Sequence, residues 1–383
     1  MNPDVVVIGG GIVGCSCAYY LAKEGLKVTL LDQGNIGTGA SSAGMTHVAS
    51  WEGPDINLEL SRFSNLLYRQ LNDELEIDFE MRAIAGLIVL ETQEEMKHFL
   101  VELDHLRKWG VPCQTLNNQE LIEYEPNLST HLVGGVIFPS DLQVNPLLAT
   151  QALAHGSKHY GTDIVPNSKV TGFEFSPSDE GIEAVVTEGG RITTKNVVIA
   201  AGAWSGLVGK FARLEIPISP RKGTLIVTEP VKEDFLRYES MISAGYLSSV
   251  TNVSSNTLKG SPVVYQTKNG NLIIGSSRQF VGFDTRIDPI VVQTMISRCL
   301  RFIPGLVKIQ AIRTWAGLRP YSSDLLPIIS PVEQIRGIYI AAGHEGLGIT
   351  EGPGTGKLIS QMITGQQLDI NCDQLAFSRF QKP

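Results

Sequence analysis

Three glycines, Gly9, Gly11 and Gly14, follow directly on an apolar run at residues 5–8, and Asp32 stands 18 residues beyond the last of them. Glycines at this G-x-G-x-x-G spacing allow a tight turn, let the backbone approach a pyrophosphate, and let a following helix pack close to a strand. The amino terminus of that helix offers unpaired N–H groups and a partial positive charge to phosphates. A carboxylate at the end of the next strand can accept hydrogen bonds from ribose hydroxyls. Together these residues predict a dinucleotide site, with FAD and NAD both open at this point.

Such residues need a strand, turn, helix, strand unit to position them. Residues 4–8 form a β-branched run suited to a strand buried on both faces. "IVGCSCAYYLAKEG" reads as a helix closing on Gly25, and "KVTLL" as the second strand. From Gly34 to Met45 almost no side-chain bulk is present, as suits a backbone lying along an extended ligand, with Ser41 and Ser42 offering hydroxyls. Leu58, Phe63, Leu66, Leu67 and Leu71 recur at helical spacing and predict a core-facing helix.

Between Gly86 and Val144 short strands flank the helix "EEMKHFLVELDHLRKWG", a pattern that suggests antiparallel pairing. "NPLLATQALAHGSKHYG" reads as a helix, and the strand "VVIAAGAWS" ends in small residues, Ala200 to Ala203, that would let a cofactor come close. Strands dominate again from Ile216 to Ser276, with a hairpin turn predicted at Asn269-Gly270. The tail is another strand, glycine-rich turn and helix. Its "GPGTGK" fails as a nucleoside triphosphate loop, because Leu358 follows Lys357 and Glu351 stands where the first glycine should be.

A chain of 383 residues, 43% hydrophobic and 18% charged, is expected to hold more than one domain with well-filled cores. A formal charge of -8 disfavours nucleic acid and acidic membrane surfaces as partners. No apolar run approaches the roughly 20 residues of a membrane span, and the first residues lack the basic flank of a signal peptide, so the expected location is cytoplasmic. Cys15, Cys17, Cys113, Cys299 and Cys372 include no CxxC pair, so neither a metal nor an iron-sulfur centre is expected.

The segments "VVVIGGGIVG", "SSAG", "VVIAAGAWS", "TWAGLRP" and "IAAGHEGLGI" occur in the order found in the D-amino-acid oxidase-like flavoproteins, and the resemblance spans nearly the whole chain. Within that family the chain is similar to the glycine oxidase branch, the flavin subunit of hydrogen cyanide synthase, and the β subunits of proline and hydroxyproline dehydrogenases. The resemblance implies FAD as cofactor and oxidation of an amine carbon–nitrogen bond in glycine, a D-amino acid, proline or hydroxyproline. It also implies an α/β, Rossmann-like FAD domain of the glutathione-reductase type, interleaved with an α+β substrate domain on a mainly antiparallel sheet. The expected boundaries are 1–76, 141–212 and 310–383 for the first, and 77–140 and 213–309 for the second.

Carried over by position, the resemblance assigns Gly9, Gly11, Ile12, Val13, Gly14, Asp32 and Gln33 to the dinucleotide turn. Ser41, Ser42, Gly44 and Met45 match the flavin-side loop, Val170 a residue whose backbone addresses the adenine, and Ala201, Gly202 and Trp204 the small-residue strand end. Gly343, Gly346, Leu347, Gly348, Ile349 and Thr350 match the turn covering the flavin ring. Arg319 matches the arginine that holds the substrate carboxylate, a task suited to a planar guanidinium and its two parallel hydrogen bonds. The family's carboxylate-binding tyrosine aligns with Val263, and Tyr265 points to the same strand face. A second arginine of the family aligns with Gly346, beside His344 and Glu345, which are the candidate bases.

The resemblance leaves two arrangements for the electrons. The chain either oxidises the amine by itself or serves as the flavin subunit of a heteromeric electron-transfer complex, with further carriers on its partners; homo-oligomers and peripheral attachment to a membrane also occur among such proteins. A third function on this fold, modification of transfer RNA, sits badly with the charge of -8.

Overall fold

Val5–Ile8 and Val28–Leu31 are buried along their whole length, and each finds a parallel neighbour on both edges. In this computed structural model, which describes residues 2–176, 181–233, 235–237, 240–245 and 262–381, they lie at the centre of a six-stranded sheet. Its order is Ile328–Pro331, Ile338–Ala342, Val197–Ile199, Val5–Ile8, Val28–Leu31 and Asp163–Val165, and only the first pair is antiparallel. Val28–Leu31 flanks Val5–Ile8 on one side and Val197–Ile199, from distant sequence, on the other, so the strand order switches there and a crevice opens at the carboxyl ends of these strands, where open parallel sheets bind ligands.

Helix Ile12–Lys23 packs against helices Pro146–His159 and Gly348–Thr364. The closeness of helix Gly348–Thr364 to Ile12–Lys23 and to helix Asp55–Glu74 explains the glycines of "GPGTGK". A side chain at Gly356 would meet the carbonyl carbon of Ser16 at 2.4 Å, and one at Gly354 would meet Ser64 Oγ at 2.6 Å. These glycines therefore serve helix packing and not phosphate binding.

The larger, eight-stranded sheet runs Ala311–Ser322, Ile218–Pro230, Asn271–Gly275, Val263–Gln266, Ser240–Ser243, Gly86–Leu90, Gly134–Phe138 and Gln114–Asn117. Its pairs are antiparallel except Ser240–Ser243 with Gly86–Leu90. Both faces are covered: Leu87 and Val89 join one apolar cluster with helix Pro289–Phe302, and Ile88 and Leu90 join another with helix Gln93–Lys108. The predicted turn at Asn269-Gly270 joins two of its strands, with Gly270 at φ +85°. Ala311–Ser322, which the expected boundary at residue 310 puts in the first domain, pairs with Ile218–Pro230 and belongs to this larger sheet.

His47–Val48, Leu142–Gln143 and Arg82–Ala83 form a small sheet, and Val170–Phe175, Ile182–Thr187 and Gly190–Thr193 another. Among the described residues no helix is long and apolar enough to cross a membrane, and no cluster of His, Cys, Asp and Glu could hold a metal ion.

Candidate functional site

The glycine turn is shaped by space that side chains would fill. Gly9 has φ +113°, and a Cβ there would lie 2.3 Å from the Ala200 carbonyl oxygen. One at Gly14 would lie 1.8 Å from the Gly9 oxygen. Neither glycine tolerates replacement without moving backbone. Gly11 caps the helix with no side-chain hydrogen bond, and Ile12 N donates to Ser41 Oγ at 2.9 Å, tying the turn to the small-residue loop. Asp32 braces both, accepting from Gly10 N through Oδ2 and from Gly34 N through Oδ1, each at 2.7 Å. Each carboxylate oxygen keeps a further lone pair for a ribose hydroxyl.

From this turn a cavity of about 700 Å³ runs between the two large sheets. Its wall includes Gly9, Gly11, Ile12, Val13, Asp32, Gln33, Ser41, Gly44, Met45, Val170, Ala201, Gly202 and Trp204. Further along come Tyr265, Arg319, His344, Glu345, Gly346, Leu347, Gly348, Ile349 and Thr350. Three expected site residues do not line the cavity. Gly14 serves helix packing, the Ser42 hydroxyl donates to Gly39 O at 3.2 Å, and Gly343, at φ +94°, faces Ser322 and Ile218.

The far end is built from charge. Arg221 and Arg319 stand directly opposite each other on paired strands, an arrangement that repels unless an anion lies between. Glu345 supplies it: its Oε1 lies 3.3 Å from Arg221 Nη1, 3.4 Å from Arg278 Nε and 4.0 Å from Arg319 Nε. Burial by itself would raise the Glu345 carboxyl, but the guanidinium groups of Arg278, Arg319 and Arg221 outweigh it and hold the group below the usual carboxylate range. Glu345 keeps this place at φ +46°, its N–H donating to Pro320 O at 3.0 Å. Gly223 makes room for Arg319, since a side chain there would meet Arg319 Nη1 at 2.2 Å. Arg319 Nη1 also donates to Ser277 O at 3.0 Å.

His344 plays a different part. Its Nε2 lies 2.9 Å from Thr355 Oγ1, and burial pushes its pKa down to about 3. The ring is a neutral strut of the turn.

The profile of one protein family, described as FAD dependent oxidoreductase, matches residues 4–362. The chain belongs to this family. Its cofactor is FAD, and it is a flavin oxidoreductase of the class that acts on amino acids and amines. The FAD dependent oxidoreductases it is similar to include glycine oxidase of Geobacillus kaustophilus, 29% identical over 98% of this chain and 97% of that protein. Hydrogen cyanide synthase subunit HcnC of Pseudomonas aeruginosa is 27% identical over 99% of this chain and 96% of its own length. Among solved structures, L-proline dehydrogenase from P. horikoshii superposes with a TM-score of 0.90 at 28% identity, covering 99% of this chain and 98% of that one.

The wall of the cavity fits FAD on its own terms. Gly9 and Gly11 bring bare backbone to the cavity at the amino terminus of helix Ile12–Lys23, whose partial positive charge suits a pyrophosphate, and the Asp32 carboxylate on the same wall suits a ribose. Several residues of the far end carry no motif: His47 and Glu52 line the cavity, and Arg221 and Arg278 complete the cage of Glu345. Burial pushes the Glu52 carboxyl up, against the opposing pull of His47 and Arg278. A sequence hint existed only for Arg221, whose "PRKG" reads as a charged interruption of an apolar strand.

Proposed function

We propose that this FAD dependent oxidoreductase oxidises the carbon–nitrogen bond of an amino acid, of the glycine, D-amino acid or proline class, to an imine. The observation that carries this reading is Arg319, a guanidinium on the cavity wall whose Nη1 is anchored on Ser277 O and whose Nε is 4.0 Å from Glu345. A guanidinium fixed in this way presents a planar fork to a carboxylate and so fixes the α-carbon. Bound flavin supplies the acceptor for the hydrogen and electron pair that leave the α-carbon. The protein's part is orientation: Arg319 holds the carboxylate, Tyr265 and Met45 bound the apolar side, and the buried Glu345 keeps the three guanidinium groups from repelling one another.

The test is the visible spectrum of the purified protein without oxygen, before and after glycine, D-amino acids, proline and hydroxyproline. Bleaching by one of them is the expected outcome, and bleaching by none removes the reading. Arg319→Ala is expected to lose about a hundredfold in kcat/KM on that substrate, roughly 3 kcal/mol of transition-state stabilisation. An unchanged value would take Arg319 out of the site.

A second reading, the flavin subunit of a larger complex, is favoured by the rim of the cavity. Leu207 and Phe211 line it while 45% and 39% exposed, and Phe283, 42% exposed, packs its ring at a tilt beside Trp204. Exposed apolar side chains gathered at one mouth suit a partner surface. Full turnover with dissolved oxygen by a species of single-chain mass would exclude this reading.

A further inference from the structure

One buried pair has no task in the amine oxidation proposed above: His47, on the cavity wall, and Asp141 behind it. His47 sits on the short strand His47–Val48 with its side chain 9% exposed, and its Nε2 lies 2.7 Å from Oδ2 of the fully buried Asp141. Asp141 Oδ2 also accepts from Trp51 Nε1 at 2.8 Å, while Oδ1 accepts from Ser50 N at 2.9 Å and Ser50 Oγ at 2.7 Å. A carboxylate that receives N–H donors on both oxygens acts here as an acceptor, so the proton of the His47–Asp141 bond belongs to Nε2. The other ring nitrogen, Nδ1, is then the one with a lone pair. Among the described residues it has no hydrogen-bond partner, and the ring is kept in place by the Tyr265 ring at 5.2 Å and the Trp51 ring at 6.5 Å.

An amino acid arrives with an ammonium group, which cannot lend a lone pair to a departing hydride. We propose that His47, held in this tautomer by Asp141, takes the ammonium proton of the substrate at Nδ1. The inference rests on the amine-oxidising reading of the site. The substrate N–H bond breaks with its electron pair left on nitrogen, and an Nδ1–H bond forms. The resulting imidazolium keeps its Nε2–H on the Asp141 carboxylate, the orienting arrangement that makes a histidine an effective base. The neutral amine then supports loss of hydride from the α-carbon, and the imidazolium returns its proton to water after release of the imine.

The groups expected from the turn serve this purpose less well. His344 is bonded to Thr355 and resists protonation, and Glu345 is enclosed by guanidinium groups. Around His47 the charged groups are Asp141, Glu52, and, acting through Glu52, Arg278 and Glu345, with the Tyr265 phenol on the facing strand.

The test uses the flavin-loaded protein and the panel amine that bleaches it fastest, by rapid mixing without oxygen from about pH 6 to 10. His47→Asn is expected to keep the flavin spectrum, to bleach about a hundredfold more slowly near neutrality, and to regain rate as pH rises and free amine forms in solution. Asp141→Asn is expected to lose rate with the same recovery. Bleaching of His47→Asn at the unmutated rate, or an equal loss at every pH, overturns the proposal. Nitrogen NMR of the imidazoles, read on the unmutated protein, is expected to show the neutral form of His47 carrying its proton on Nε2 rather than Nδ1; the opposite tautomer overturns the proposal whatever becomes of the variants. If no amine bleaches the unmutated protein, the oxidation reading itself has failed and the proton step falls with it. Normal bleaching with an unaffected His47→Asn removes the proton step alone.

Discussion

At the nucleotide end of the cavity the work is done by backbone N–H groups and by side chains that are absent, whereas at the other end it is done by Arg221, Arg278, Arg319 and Glu345, drawn from separate segments. The first arrangement is local. Gly9, Gly14 and Ser41 lie within 33 residues, and each contact can be traced to the tight path of the chain. The second exists only after Ile218–Pro230 pairs with Ala311–Ser322 and the turn at Glu345 folds over them. A site for a common cofactor is thus written in spacing, and a site for a particular substrate in long-range pairing.

The contrast can be broken most severely at Gly9. Gly9→Val would place side-chain atoms inside the Ala200 carbonyl, and the protein is expected to purify without yellow colour. A normal flavin content would show that the turn is far less constrained than its geometry indicates.

Next comes the charged end. Glu345→Gln leaves the guanidinium groups of Arg221, Arg278 and Arg319 without their shared carboxylate, and is expected to cost about 3–5 kcal/mol of stability while leaving the nucleotide turn intact. Because the folded carboxyl lies below its ordinary value of 4.5, this stabilisation is fully present above that pH and is lost as acid protonates the folded form. Denaturant melts of both proteins should therefore converge as pH falls below 4.5. Curves that stay parallel would mean that the ion cage contributes little.

His344 offers a smaller and oppositely motivated effect. Its pKa falls from 6.5 to about 3 on burial, so above pH 6.5 both folded and unfolded forms are neutral and nothing is lost. Below 6.5 only the unfolded chain takes the proton, and stability declines by about 1.4 kcal/mol per pH unit. His344→Gln should remove that part of the slope, as read from denaturation midpoints at pH 7 and 5. The least effect separates two adjacent hydroxyls. Ser41→Ala deprives the buried Ile12 N–H of its acceptor and is expected to cost about 1–3 kcal/mol. Ser42→Ala, at an exposed loop bond to Gly39, should stay within about 0.5 kcal/mol.

What the sequence makes legible follows the same division. The strand, turn and helix at residues 5–23, the helix Asp55–Glu74 and the turn at Gly270 are each dictated by neighbours in the chain and are found where periodicity and turn chemistry place them, except that Leu66, expected on the core face of Asp55–Glu74, is 60% exposed because it falls off the buried stripe of Leu58, Leu67 and Leu71. The pairing of strand Ala311–Ser322 is not legible, because its partner lies about 90 residues earlier and no local pattern names it. His47 and Asp141 are 94 residues apart, and neither stands in a motif, so their pairing cannot be read from spacing. Ser42 and Ser41 are indistinguishable in the sequence. Only the direction of the loop decides which hydroxyl reaches the helix.

The close seat of Gly356 against Ser16 has a consequence for the birth of the protein. The helix that begins the cofactor turn is completed by one that ends at Thr364, and the strand Ile338–Ala342 must also arrive before Val197–Ile199 has a neighbour on its outer edge. During synthesis the glycine turn is therefore made well before the helix Gly348–Thr364 that supports it. The nascent protein carries its most recognisable segment as an unfinished surface until Gly356 seats against Ser16.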